Sequence, residues 1–388
     1  MSNDTVTTTT SQSWFSRIGS ALMGVLVGIV LFLGSFLLLG WNEGRAIHRA
    51  KTLEIGAGQV VTVPADAPVA GNEGKLVHIT GVAEADKPVK DPVFGIVADA
   101  LKLRRDVEMY QWKEDSKSET KQKLGGGEET TTTYTYSKAW ASGLIDSSNF
   151  KEPSGHKNPA EMPVDSETFV APAIHVGKFQ LPPSLTDKID NYVPRPATEA
   201  EAKAAAKETD ADIQTVTGGQ LYVGADPGMP AVGDLRVTFK MAPSGPVSIV
   251  AKQIGDTFEE FIAENGRSIE PLLQTGTHSA QAMFQAEQEG NAMLTWILRL
   301  AGFLMMLFGL LLITGIFSVI ASVIPFLGNI VNMGTGMLAF AVALPLTLVT
   351  IALAWLAYRP LIGIPLFLLA IGSLVFAIMR LSKRKKAA

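Results

Sequence analysis

Five histidines are the side chains best suited to proton or metal chemistry in this sequence: His48, His78, His156, His175 and His278. None stands in a metal-ligating pattern such as a helical i, i+4 pair with an intervening glutamate. His78 and His175 fall in strand-like runs, where a hydrogen-bonded structural histidine is the simpler reading. His156, Asn158, Arg104 and Glu108 are the most conspicuous polar positions, yet strand pairing and turn hydrogen bonds account for them without catalysis. There is no Gly-x-Ser-x-Gly elbow and no phosphate loop ending in Gly-Lys-Ser/Thr. Gly56-Ala-Gly58 lacks the third glycine of a dinucleotide site. The chain has no cysteine, which excludes disulfides, thiolate metal sites, cysteine nucleophiles and iron–sulfur clusters. The expectation is a protein that is not an enzyme, with no catalytic, cofactor-binding or metal-binding residues and no cofactor.

The elements that would carry such residues divide into apolar spans and a polar middle. Ile18–Trp41 is uncharged and long enough to cross a hydrocarbon core of ~30 Å at about 1.5 Å per residue. It exceeds the apolar region of a cleaved signal peptide, and Trp14 and Trp41 flank it as interfacial anchors. Within it Gly24 and Gly28 form a small-xxx-small pair that lets a second helix approach. After Glu289 the sequence has no acidic residue and is almost continuously apolar until Arg380-Leu-Ser-Lys-Arg-Lys-Lys386.

The expected fold is therefore an α+β membrane protein with four transmembrane helices, one N-terminal and three C-terminal, and a large β-rich domain between the first and second. Residues 1–17 read as a disordered tail and 18–41 as the first span. Residues 42–290 form the domain, and 291–320 an interfacial entry and second span. An apolar hairpin, 321–335, is broken by Pro325 and Gly328. Spans three and four occupy 336–358, with Pro345 inside, and 361–379; a basic tail fills 380–388.

Inside the domain, Gly74–Thr80, Leu101–Trp112, Thr130–Trp140, Phe169–Phe179, Gln220–Val223, Asp234–Met241 and Val247–Gln253 alternate or are rich in β-branched and aromatic residues, and read as strands. Glu114–Glu129, with its three glycines, reads as a loop or hairpin tip. Ala197–Asp210 is a helix polar on every side, which suggests an exposed insertion.

Residues 42–290 hold 25 of the 33 basic and 36 of the 37 acidic residues, a net −11. Such a surface repels phosphate backbones, so no nucleic acid is expected as a partner. The spans contain no carboxylate or histidine to bind or relay a coupling ion, which argues against a transporter. Thr314, Thr347 and Thr350 read as helix-packing residues. Four spans put both termini on one side, and the closing cations place that side in the cytoplasm, with the domain outside. Arg45, Arg49 and Lys51 oppose this orientation but are fewer.

Several strings resemble one family. Asn42-Glu-Gly-Arg-Ala46, Asn72-Glu-Gly-Lys-Leu-Val-His78, Leu101-Lys-Leu-Arg-Arg-Asp-Val-Glu-Met-Tyr-Gln-Trp112, Gly155-His-Lys-Asn-Pro159, Val232-Gly-Asp-Leu-Arg-Val237 and Ala354-Trp-Leu-Ala-Tyr-Arg-Pro360 are similar to the LUMA, or transmembrane protein 43, family. Their order and spacing hold from about residue 20 to 380. The resemblance implies four spans, a lumenal domain and a non-enzymatic role, since animal members are oligomeric organisers of membrane complexes at the endoplasmic reticulum and inner nuclear membrane. Lamins and emerin are among their partners. The glycine-rich tip at 124–127 and the Ala/Lys/Glu helix at 197–210 depart from the animal pattern and suggest a bacterial member, to which those partners do not carry over. The expectation is a scaffold in a bacterial inner membrane with a periplasmic domain, or in the endoplasmic reticulum or inner nuclear membrane of a eukaryote. Its expected partners are membrane lipids, further copies of itself and unidentified membrane or envelope proteins. The alternative is a lipid-binding or envelope-stress module holding a hydrophobic ligand.

Overall fold

Side-chain alternation builds the β-rich part as the sequence implies. Along residues 102–111, Leu103, Arg105, Val107, Met109 and Gln111 turn inward and are buried, while Arg104 faces outward. The computed structural model describes residues 4–361 apart from 67 and 69, with 363–365 and 368 beyond them. In chain order its main elements are β1 (Thr5–Gln12), α1 (Trp14–Gln59), β2 (Leu76–Ala85), β3 (Lys102–Gln122), β4 (Glu128–Ala141), β5 (Ile174–Val176), α2 (Glu199–Thr209), β6 (Ile213–Val216), β7 (Gln220–Val223), β8 (Leu235–Ala242), β9 (Gly245–Ile254), β10 (Leu272–Thr275), α3 (Ala280–Ala321) and α4 (Pro325–Tyr358). By contacts the chain forms two units. The first comprises residues 1–8, 54–117 and 132–285, and the second residues 9–53, 118–131 and 286–388.

Unit 1 is the β-rich body. One sheet runs β1-β4-β3-β8-β7-β6, and a second has β5, β2 and β9 adjacent, with β10 also on β9. β8 pairs antiparallel with β3 from Leu235–Met109 to Ala242–Lys102, and β9 with β2 from Gly245–Ala83 to Lys252–Leu76. Inward residues of both sheets, among them Leu103, Val107, Val237, Ile79 and Ile249, share one apolar core. Helix α2 is capped by a reciprocal box: Thr198 accepts from the Glu201 amide, and Glu201 accepts from the Thr198 amide. It is not the exposed insertion that its polarity implies. Ala202 and Ala205 are buried in the core, because methyl groups three residues apart make a narrow face that packs without apolar bulk.

Unit 2 contains three helices long and apolar enough to cross a membrane: α1, α3 and most of α4. The α+β class with a β-rich middle and apolar helices at both ends therefore stands. Of the expected fourth span, 361–379, only five residues are described, and the basic tail, 380–388, lies outside the described residues. α1 and α3 meet through Gly28 and Gly309. A Cβ on Gly28 would lie 2.7 Å from the Gly309 carbonyl, and one on Gly309 2.8 Å from the Phe32 nitrogen.

Three further expectations change. Thr5–Gln12, assigned to a disordered tail, is strand β1. It lacks an apolar alternation of its own, and the open side of β4 supplies its hydrogen-bonding partner. The apolar hairpin at 321–335 contracts to a turn after Ala321, because Pro325 occupies the first turn of α4, where its fixed φ and missing N–H cost nothing. Ser318 Oγ donates to the Gly328 carbonyl across this turn at 3.1 Å. Finally, residues 42–290 are not one body: 42–53, 118–131 and 286–290 group with the helices.

Candidate functional site

Asn42-Glu-Gly-Arg45 and Trp355–Pro360, two of the strings that carry the family resemblance, converge in unit 2. Glu43 is 2% exposed on α1. Its two carboxylate oxygens accept from Arg299 Nε at 2.6 Å and Nη2 at 2.9 Å, and one also accepts from Trp355 Nε1 at 2.7 Å. The Arg299 guanidinium sits 4.7 Å from the Trp296 ring centre and 5.7 Å from that of Trp355. A bidentate pair stacked on indole faces offsets the desolvation of both charges far better than a single contact would.

The neighbouring residues complete this junction of α1, α3 and α4. Asn42 Nδ2 donates to the Thr295 carbonyl at 3.0 Å, and Arg45 donates to Asn291 Oδ1 at 3.0 Å and Thr295 Oγ1 at 3.1 Å. Gly44 is required by close approach, since a Cβ there would lie 2.7 Å from the Tyr358 ring. Arg49 pairs with Glu287 at 2.8 Å. A cavity of about 190 Å³ opens beside the junction, lined by Glu43, Asn291, Thr295, Trp296, Arg299 and Arg359.

A second polar junction closes the other end of the helices. Arg17, 9% exposed, pairs with Glu128 at 2.6 Å, donates to Ser322 Oγ at 2.9 Å and also donates to the Gly126 carbonyl. Trp14 Nε1 donates to the Val319 carbonyl at 3.0 Å, and the Gly125 amide to the Val323 carbonyl at 3.1 Å. Gly126 has φ +81° and lies against the Trp14 ring, so both backbone and space demand glycine. The β3–β4 turn, expected to be a loop of the polar domain, is thus fastened to the first turns of α1 and to the α3–α4 turn.

In unit 1, His78 and His156 are both engaged by neighbouring groups. His78 Nδ1 is 3.2 Å from Thr62 Oγ1 and Nε2 is 2.9 Å from the His278 carbonyl; burial lowers its pKa. His156 stacks on Tyr136 at 3.9 Å and meets Trp112 edge-on at 4.7 Å. Its Nδ1 lies 2.8 Å from the Glu152 carbonyl and its Nε2 2.7 Å from Asp4. Burial lowers its pKa, but the Glu152 carbonyl and the Asp4 carboxylate together outweigh that effect and raise it. The Tyr136 hydroxyl, buried and donating to Glu114, is pushed up to about 12. Asn158 substitutes for a strand partner, accepting from the Trp112 amide and donating to the Trp112 and Ile145 carbonyls.

The other two conspicuous residues lie apart from any such cluster. Arg104 is exposed and bonds Asp106, and Glu108 is half-buried. The buried cation is their neighbour Arg105, 2.7 Å from fully buried Asp91. Thr314 and Thr350 donate to carbonyls of their own helices, which is packing chemistry. Among the described residues no three His, Asp or Glu side chains are grouped to hold a metal ion.

An α+β chain with membrane-length helices at both ends and these two polar junctions is a membrane protein. A family model described as "Transmembrane protein 43" matches residues 109–360. "Transmembrane protein 43" of Rattus norvegicus is 38% identical over 98% of this chain and 96% of its own length, and that of Homo sapiens 36% over the same shares. "Transmembrane protein 43 homolog" of Drosophila melanogaster is 32% identical over 88% of this chain and 91% of its own. No solved structure matches. The chain belongs to the transmembrane protein 43 family.

Proposed function

We propose that this chain is a non-enzymatic, homo-oligomeric membrane scaffold, organising membrane protein complexes through its helices and its β-rich domain. The observation that carries the reading is the Glu43 carboxylate: three donors already satisfy it, and its cation is clamped between two indoles. A carboxylate held this way fixes helices together and is poorly suited to exchanging protons or ligands. Outside the junctions the helices present large apolar side chains, such as Leu26, Val30, Leu37, Leu300 and Phe308, to lipid or partner helices. The domain faces the periplasm of a bacterial inner membrane, or the lumen of the endoplasmic reticulum or nuclear envelope, and its partners are membrane or envelope proteins and lipids. Mass measurement in mild detergent tests the oligomer; a strict monomer at working concentration overturns it. A cysteine at exposed Met229, labelled by an impermeant maleimide from outside intact cells, tests the orientation.

A second reading, a lipid-binding module, is favoured by the cavity beside the first junction. Arg359 and Trp296 on its wall suit a phosphate head group at a membrane interface. Lipid retained through purification and lost in Arg359→Ala supports that reading; equal retention removes it.

A further inference from the structure

We infer that the cavity beside the first junction selects an anionic phospholipid whose head group carries no positive charge. The inference rests on the lipid-binding reading and names the class of lipid that the site takes. All of the lining residues belong to unit 2. On the spanning reading, α1 leaves the bilayer near Trp41, α3 enters it near Trp296 and α4 leaves it near Tyr358. Glu43, Arg299 and Arg359 therefore share the head-group region of a single leaflet, where a phospholipid presents its phosphate.

Three observations carry the inference. First, the lining holds one acid, Glu43, against two cations, Arg299 and Arg359, a net of one positive charge. Glu43 already accepts from Arg299 and Trp355, so among the described residues Arg359 has no counter-charge. Its own amide donates to the Trp355 carbonyl at 2.7 Å, which fixes the point from which its side chain starts. Second, the unspent polar groups are mainly donors. Gln288 and Asn291 donate to the Ala50 and Ala46 carbonyls, and Thr295 to that of Asn291. Arg299 uses Nε and Nη2 on Glu43 and keeps Nη1. Among the described residues nothing accepts from the Trp296 indole N–H or the Arg359 guanidinium. Nitrogen donors on three residues around one cavity suit an oxyanion, which only accepts. The Gln288 amide oxygen remains as the acceptor for a head-group hydroxyl. Third, a head-group cation finds no partner. Choline or ethanolamine needs a carboxylate or an aromatic face. The Glu43 carboxylate is buried and satisfied, and Arg299 already stacks on the Trp296 and Trp355 rings. The volume of about 190 Å³ is that of a small head group, so the acyl chains lie outside, where exposed Leu300 follows Trp296 by one turn on the same face of α3.

The test reconstitutes the full chain with phosphatidylglycerol or phosphatidylcholine of identical acyl chains. Retained lipid is counted by native mass spectrometry after transfer to mild detergent. Phosphatidylglycerol is expected to be retained about tenfold over phosphatidylcholine, as one charge-assisted contact contributes, and to raise the melting temperature. Arg359→Gln is expected to erase both the preference and the rise, and Arg359→Lys to keep part of each. Trp296→Phe keeps an aromatic ring but loses the N–H, and is expected to weaken the preference. Equal retention of the two lipids by the wild type, with both lost in Arg359→Gln, overturns the anionic selection and leaves the lipid-binding reading standing. A wild type that retains neither lipid, or a retention that Arg359→Gln leaves unchanged, overturns both. Inorganic phosphate that gives the same Arg359-dependent rise in lipid-free detergent overturns lipid as the source of the anion.

Discussion

Arg299 grips both carboxylate oxygens of Glu43, at 2.6 and 2.9 Å, from a helix that begins far along the chain. Their two helices, α1 and α3, are fastened by a charged pair in which Glu43 is almost wholly buried. Removing one partner leaves the other charge without compensation in a desolvated place. Glu43→Ala is therefore expected to cost ~3–5 kcal/mol, and Glu43→Gln/Arg299→Met together distinctly less than the two single changes summed. Thermal unfolding in detergent, read as a double-mutant cycle, checks this.

The glycine contact between the same helices gives a second expectation. Gly28→Val adds volume where a Cβ already meets the Gly309 carbonyl at 2.7 Å, and backbone there has no room to yield. A loss of about 1–3 kcal/mol follows from overpacking. Gly24→Val, where the nearest atom is Leu312 at 3.8 Å, is expected to cost little. Melting temperatures of the two variants should separate clearly.

His156 makes the Asp4 contact depend on pH. Its folded pKa is raised above the ordinary 6.5, so its stabilisation is fully present below that value and is lost as pH rises through the folded pKa. The Tyr136 hydroxyl stacked beside it titrates only near 12 and does not contribute in that window. The protection factors of the β1 amides, taken against intrinsic exchange at each pH, are expected to fall across the window in the wild type, and Asp4→Asn should flatten that dependence.

The capping box on α2 offers a test confined to unit 1. Thr198→Ala removes the side chain that accepts from the Glu201 amide and is expected to cost about 1 kcal/mol. Glu201, bonded to Arg195 and to Thr198, is held down at about 2. Its contribution is present above the ordinary carboxylate value of 4.5 and fades as pH falls toward 2. Glu201→Gln should therefore show a shallower acid-unfolding limb.

Gly126→Ala strains a φ of +81° and drives a methyl group into the Trp14 ring. The β3–β4 turn is expected to detach from α1, which limited proteolysis at 123–127 would register as faster cleavage with the melting of unit 1 unchanged.

Much of the fold is legible where a local rule decides it. The alternation through Leu101–Trp112 and the uncharged run Ile18–Trp41 both became the elements they imply. Pairing that depends on distant residues was not legible. β1 has no periodicity of its own, and only the edge of β4 makes it a strand. Pro325 reads equally as a breaker or as a first-turn residue, and the chain around it decides. The alternation of Leu103, Val107 and Met109 puts Arg105, not Arg104, on the inward face, but that Asp91 waits there to pair with it follows only from the fold. The junction at Glu43 shows both sides of this. Its strings stood out as family-like, yet that Glu43, Arg299 and Trp355 form one cluster follows only from how three helices pack.

Glu43 also has a history in time. The ribosome delivers α1 first, and Arg299 and Trp355 come 256 and 312 residues later. At roughly 5–20 residues per second, about 13–50 s pass before Arg299 is made. Through that interval Glu43 relies on water, which holds this end of α1 at the membrane surface until α3 arrives. A chain that stops before α3 thus leaves Glu43 beside its first span with neither Arg299 nor Trp355 to receive its charge.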